Sequence, residues 1–427
     1  MSKPIVVGID VSKNFSLMCV LSPTTEVLFE GTIHHDETGL KYTVNTLNNF
    51  KKKYKTDVVC VMESTAHYHR IVYQYLVRNN FSVIVINPLQ SGGTKNLQIR
   101  KIKDDKTDAK RLAYMFYLGV LKSAGIMNSS IYDSLKDLTR QHSELSTERL
   151  KYSNKLIGLL DQCFPEYHKV FSSVRTKSSI SILEKYPTPS LILNAKKDAL
   201  RRTMAEGSRH KKTSEYTRRK TEALILAAKN SREIMIERES FAPLISLIAA
   251  TLHRLSDSIS LLEKQILELA YSDVYFAESV NLLTTIPGIG QYSAITLLAE
   301  IGDIDRFSKP KQLVAFCGLD SATRQSGTFT QSNNHISKRG SPYIRNVLAV
   351  CTHVAVHPCI AGKPGNPVLA AYYAEKRQNK PANVALCASM HKMVNYIYAV
   401  LRDRKPYEIR SPEAHIEILQ NHSKIAA

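Results

Sequence analysis

Hydrophobic positions along the chain change period repeatedly, and each change marks the start of a new element. Residues 5–12 are an apolar run interrupted by one acid, Asp10, and residues 17–21 and 27–33 are two further strand-like runs separated by short polar turns. Three consecutive strands joined this way predict an antiparallel meander. A helical period follows over about residues 37–53, then an apolar strand at 58–63 ending on Glu63, a helix at 67–79, a strand at 81–87, and a helix that starts within the acidic stretch Lys103-Asp104-Asp105-Lys106-Thr107-Asp108.

From Leu135 the period becomes that of a heptad, through Leu138, Leu145, Tyr152, Leu156 and Leu159, with His142 and Arg149 weakening the other seam. A cleaner heptad returns at Ile245, Ile248, Leu252, Leu255, Ile259, Leu262, Ile266 and Leu269. The two helices are expected to pair with each other or across subunits. Between them lies a lobe with the turn Tyr186-Pro187-Thr188-Pro189 and a dense run of cations: Lys196, Lys197, Arg201, Arg202, Arg209, Lys211, Lys212, Arg218, Arg219 and Lys220. Phosphate contact is the simplest use for such a cluster.

The βββαβαβα order of the first 125 residues is that of a ribonuclease H-like domain, and its acids carry the chemistry. Asp10 and Glu63 each put a carboxylate on or at the end of an otherwise apolar strand, where an unpaired charge is costly to bury. A shared cation removes that cost. Asp105 and Asp108 are three residues apart on one helix face, so their oxygens join Asp10 and Glu63 as a four-carboxylate set suited to Mg²⁺, or Mn²⁺, at a phosphate. Asp104 then points elsewhere.

Charge narrows the partners. The 427 residues carry 58 Lys+Arg against 38 Asp+Glu, a net charge of +20 that argues for a polyanionic partner, nucleic acid before membrane. No apolar run reaches the roughly 18 residues needed to span a bilayer, and the start has no signal-peptide character, so a cytoplasmic, nucleoid-associated protein is expected. The seven cysteines form no Cys-x-x-Cys pair and fit reduced thiols.

The C-terminal part holds further candidate chemistry. Ile286-Pro287-Gly288-Ile289-Gly290 before a helical stretch looks like the turn of a helix-hairpin-helix, in which Gly288 and Gly290 bring backbone amides close to a DNA phosphate. Downstream come Arg324-Gln325-Ser326-Gly327 and His335-Ile336-Ser337-Lys338-Arg339-Gly340-Ser341-Pro342. Ser341 with Pro342 supplies the cap and first turn of a helix. Ser337 is left without that task, and Lys338 and Arg339 flank it with the charge to neutralise a phosphate it attacks. Ser326 and Tyr343 are rivals; tyrosine recombinases place His and Arg at a tighter spacing than His335 and Arg339 offer.

Taken together, Asp10, Glu63, the Lys-x-Asp-x-x-Asp-Ala form of residues 103–109, Ile-Pro-Gly-Ile-Gly, Ile-Ser-Lys-Arg-Gly and the late stretch from Gly365-Asn366-Pro367 through Tyr372-Tyr373 to Lys376-Arg377 resemble the IS110/IS1111 family of insertion sequence transposases. The resemblance implies a RuvC-like Asp-Glu-Asp-Asp domain over residues 1–125, a coiled-coil region at 126–275 with the basic lobe at about 170–240, a C-terminal, mainly helical transposase domain at 276–410 and a tail at 411–427. It further implies serine attack on donor and target DNA through a covalent phosphoserine link, a noncoding bridge RNA that pairs with both DNAs, and assembly into dimers and tetramers. Two other functions use parts of the same pattern. A RuvC-like nuclease needs the carboxylates and the charge but not Ser337, and a noncatalytic RNA- or DNA-binding protein needs the charge alone.

Overall fold

β1 (Ile5–Val11) is buried along its length except at Asp10, because both faces of its sheet are covered. It pairs antiparallel with β2 (Phe15–Leu21), and β2 pairs antiparallel with β3 (Val27–His34), which is the expected meander. α1 (Glu37–Tyr54) begins at Asp36, whose carboxylate accepts from Gly39 N at 2.7 Å, and ends where Lys55 turns into the left-handed region. The chain returns as β4 (Val58–Glu63), parallel to β1, and after α2 (His69–Arg78) as β5 (Ser82–Ile86), parallel to β4. The resulting order, β3-β2-β1-β4-β5 with the antiparallel meander on one side and the parallel strands on the other, is ribonuclease H-like. α3 (Asp105–Tyr117) completes the element order expected from the sequence.

The pleat sorts the side chains into two layers. Ile5, Val7 and Ile9 meet Leu40, Val44, Leu47, Val72 and Leu76 of α1 and α2. Val6, with Val61 and Ile86, meets Ala109, Leu112 and Ala113 of α3 on the other face.

In this computed structural model the described residues are 3–64, 67–86, 105–119, 121, 130–206, 208, 210–236, 238, 240–321, 325–326, 329–330, 335–358 and 362–417. The chain divides into two compact units, residues 1–128 and 129–427.

The second unit is built on two long helices. α4 (Ser130–Cys163) leads into the basic lobe, made of α5 (Lys177–Lys185), α6 (Pro189–Asn194), α7 (Lys197–Glu206) and α8 (Glu215–Ile234), and α9 (Phe241–Ser272) returns along α4. Their register is antiparallel: His142 meets Glu263 at 3.0 Å, while Leu156 and Leu160 share a core with Ile245, Ile248 and Leu252. The second heptad therefore finds its partner within the chain. The first is shifted from the expected pattern, since Tyr152 is exposed while Thr139 and Ser153 are buried, so the buried side of α4 is a mixed polar and apolar stripe. A separate core gathers Leu135 and Ile266 with α10 (Val274–Thr284), α11 (Gln291–Ile301), α12 (Pro310–Phe316), α13 (Pro342–Val356), α14 (Pro367–Asn379) and α15 (Ala382–Asp403), and a small hairpin of β6 (Gln325–Ser326) and β7 (Phe329–Thr330) precedes α13. Contrary to the expectation from sequence, α15 is long and apolar enough by composition to cross a membrane; half of its most apolar window is buried, and Met393, Val394 and Ile397 sit in this core. Core burial explains its composition.

Candidate active site

The carboxylate positions of the first unit are arranged by the sheet and by one glycine. Ile9 pairs with Met62, so Asp10 and Glu63, the next residue of each strand, lie side by side where β1 and β4 end. Both share a face with Gly8 and Val61, the face covered by α3. A Cβ on Gly8 would lie 1.9 Å from Ala109 O and 2.7 Å from Ala113 N, so only glycine lets the α3 backbone approach this closely. The Tyr117 hydroxyl donates to Pro4 O at 2.7 Å, which fixes the C-terminal end of α3 beside the start of β1. α3 thus runs antiparallel to β1, and its first turn, positions 105–108, falls at the end of β1 that carries Asp10. Asp108 is itself held by Arg111 Nη1 at 2.7 Å, with both side chains largely buried. The side chain of Asp105 lies outside the described residues, as does the whole of Asp104. No group of three or more His, Cys, Asp and Glu side chains within metal-holding reach occurs among the described residues. The donor types and their shared end of the sheet nevertheless fit a hard cation that prefers oxygen ligands.

In the second unit the loop 335–341 lies against residues 316–321. Gly318, at φ +69°, and Gly340 make this possible: a Cβ on Gly340 would lie 2.0 Å from Phe316 O, and one on Gly318 would lie 2.7 Å from Gly340 N. Ser337 N donates to Asp320 O at 2.8 Å, Lys338 N donates to Gly318 O at 3.1 Å, and Ser321 pairs with Ile336. Arg345 Nη1 ties the loop down by donating to Gly340 O at 2.7 Å and Cys317 O at 3.3 Å. The Ser337 hydroxyl donates to the Asp320 carboxylate. Lys338 takes the left-handed conformation at φ +54°, a strained choice for a side-chain-bearing residue, and both Lys338 and Arg339 are exposed beside the serine. Ser341 caps α13 with Pro342 at its first turn, as expected. Burial pushes the neighbouring Cys317 thiol up to about 12, which keeps it neutral.

The rivals fare differently. Tyr343 OH is 3.0 Å from Glu144, and this hydrogen bond raises the phenol above its ordinary range, which disfavours the phenolate a tyrosine nucleophile needs. Ser326 lies in β6, and its side chain, with Arg324, falls outside the described residues.

Gly288 and Gly290 separate. Gly288, at φ +98°, has Cys351 O only 2.4 Å from where a Cβ would stand, so packing on α13 accounts for this glycine. Gly290 has open space around it and precedes α11 as its N-cap, which suits an approaching phosphate. In the lobe, Asp198 holds Arg202 at 2.8 Å and Lys212 at 2.6 Å, and these two cations keep its carboxyl below the usual range. Arg201 is half-buried, whereas Lys196, Lys197 and Lys211 are exposed. Sequence reasoning passed over two acids of this unit. One is Asp320, which only the loop pairing brings to Ser337. The other is Glu300, 2% exposed and bound by Arg140 through bonds of 2.6 and 3.0 Å.

Two family models match the chain: the DEDD transposase model of IS110 over residues 7–165, and that of the "Transposase IS116/IS110/IS902 family" over residues 280–374. The chain belongs to this transposase family. Within it, the insertion element IS116 protein of Streptomyces clavuligerus is 23% identical over 417 residues, covering 95% of this chain and 96% of the relative. The pilin gene-inverting protein of Moraxella bovis is 30% identical over 160 residues, 37% of this chain and 48% of that one. Among solved structures, Thermus thermophilus RuvC bound to a Holliday junction substrate is 10% identical, with a TM-score of 0.21 over 28% of this chain and 99% of that chain. The first family model takes in Asp10, Glu63, Asp105 and Asp108, and the second takes in Gly288, Gly290 and Ser337 with its flanking cations.

Proposed function

We propose that this family member is a site-specific recombinase that moves an insertion element by attacking DNA with Ser337, forming a phosphoserine link that conserves bond energy for rejoining. One observation carries the reading: the Ser337 hydroxyl is fixed on a carboxylate, beside exposed Lys338 and Arg339, in a loop whose capping task belongs to Ser341. A serine hydroxyl is a weak nucleophile until a neighbouring group takes its proton. Lys338 and Arg339 bind the phosphate and offset the charge that grows on its oxygens.

Asp10, Glu63, Asp105 and Asp108 would hold Mg²⁺ or Mn²⁺ in the first unit. Bound there, the ion supplies charge neutralisation at a phosphate. For Asp108 to serve, its carboxylate has to turn from Arg111 or share it, and Arg111 then becomes a partner to the loaded site.

Donor and target DNA are the substrates. Lys196, Lys197 and Lys211, together with Gly290 and Arg324, contact phosphates of these DNAs or of a bridge RNA that selects them, work done in the cytoplasm at the nucleoid. The protein works as a homo-oligomer, a dimer that becomes a tetramer on DNA. The α9 seam is filled by α4, so subunit contact falls to exposed leucines such as Leu247 and Leu261, two heptads apart.

The test is S337A on a labelled element end. It should bind DNA and copurifying RNA as the parent does and leave no protein attached to a cut strand under denaturing conditions. An adduct formed by S337A, or strand cutting by the parent with no covalent intermediate, would replace this reading with hydrolysis by a RuvC-like nuclease.

A further inference from the structure

We infer that Asp320 is the base that accepts the Ser337 proton, a step that rests on the serine reading above. The pairing is imposed by backbone and not by chance contact of two mobile side chains. The two glycines press residues 316–320 against 336–340, the bonds Ser337 N to Asp320 O and Lys338 N to Gly318 O set the register, and the Ser321 to Ile336 bridge extends it. Ser337 and Asp320 are thereby placed opposite each other, with the hydroxyl directed at the carboxylate. Arg345 is engaged by the carbonyls of Gly340 and Cys317, so its charge is committed to holding the loop. Both members of the pair are half-buried, which shelters the hydrogen bond while leaving the serine oxygen within reach of DNA.

The step balances. As Ser337 Oγ forms its bond to phosphorus, its proton passes to Asp320. The bond from phosphorus to the leaving strand's oxygen breaks, and that oxygen takes a proton from water. On rejoining, a strand hydroxyl attacks the phosphoserine and gives its proton to water, the bond from phosphorus to Ser337 Oγ breaks, and Ser337 recovers its proton from Asp320.

D320N separates this role from a positional one, because an amide oxygen still accepts the serine hydrogen bond but does not take up its proton. With parental DNA binding and an unchanged melting midpoint, D320N should form the serine adduct on the order of 10²-fold more slowly or worse, the usual worth of a positioned base. D320E, which keeps a basic carboxylate, should recover most of that rate. D320N within twofold of the parent overturns the inference. Should D320N fail to fold, D320E and D320A are compared instead, and equal losses in the two overturn it. Normal adduct formation by S337A, in contrast, defeats the serine reading itself.

Discussion

Replacing Gly8 by alanine tests how the candidate metal end of the first unit is built. The new Cβ would stand 1.9 Å from Ala109 O and 2.7 Å from Ala113 N, whereas ordinary contact begins near 3.4 Å. The shortfall, 3.4 − 1.9, is about 1.5 Å, and both obstructing atoms are helix backbone, so no side chain can swing aside. α3 has to lift from the sheet, uncovering Ala109, Leu112 and Ala113. Overpacking of this kind costs ~1–3 kcal/mol, and a rigid obstruction puts the change at the upper end. For a unit of this size that is a fall of roughly 6–12 °C in its melting transition. Function should suffer more than stability, because α3 carries Asp105 and Asp108, and a displacement of ~1 Å in a positioned group costs on the order of 10²-fold in rate. Scanning calorimetry of the full chain, hydrogen exchange of the α3 amides and Mg²⁺-dependent strand cleavage provide the readouts. Gly158→Ala is the control: it lies within α4 with open space around it, and should stabilise by ~0.5–1 kcal/mol. A G8A protein that melts with the parent and keeps α3 protected would show that α3 does not rest on Gly8.

Other expectations follow from the second unit and the thiols. Arg140→Met removes the partner of a carboxylate side chain that is 1% exposed; the ~3–5 kcal/mol of a fully buried pair, discounted because Arg140 is 36% exposed, leaves a loss of about 2–3 kcal/mol in chemical denaturation, and an unchanged midpoint would mean Glu300 is satisfied without it. L247D with L261D should lower the oligomeric mass in light scattering while the fold persists, whereas L252D, in the buried seam, should unfold the lobe; an unchanged mass moves the subunit contact elsewhere. Changing Lys196, Lys197 and Lys211 to alanine should weaken nucleic-acid binding and flatten its salt dependence by up to about 0.9 logarithmic units for each phosphate no longer neutralised, and an unaltered slope would show that these lysines stay in water. Burial pushes Cys19 to about 11 and Cys60 to about 12, with Cys317 also at about 12. Since the thiolate is the reactive form, these three should resist maleimide at pH 8 in the folded protein and label only after denaturation.

Much of the first unit is legible in the order of its residues, because strand and helix periods are local, β1, β2, β4 and β5 are short and mostly apolar, and polar turns or amphipathic helices separate the strands. The same holds for α9, whose heptad needs nothing beyond its own residues, and for the Ser341-Pro342 start of α13, a cap formed by adjacent residues. Asp10 and Glu63 stand out because each acid interrupts or ends an apolar run. What the chain does with those elements is decided by contacts between distant residues. The α4 stripe escapes a heptad reading because its buried side mixes Thr139 and Ser153 with leucine, a choice made by the surfaces packed against it and not by its own period. Gly8 and Gly288 carry no local signal of the helix backbones that press on them, and α15 resembles a membrane helix until its partners in the core are seen. Asp320 precedes Ser337 by seventeen residues and belongs to no motif. It becomes part of the site only because two glycines let two backbones touch, a relation that depends on the absence of side chains and is therefore invisible to any reading of the side chains that are present.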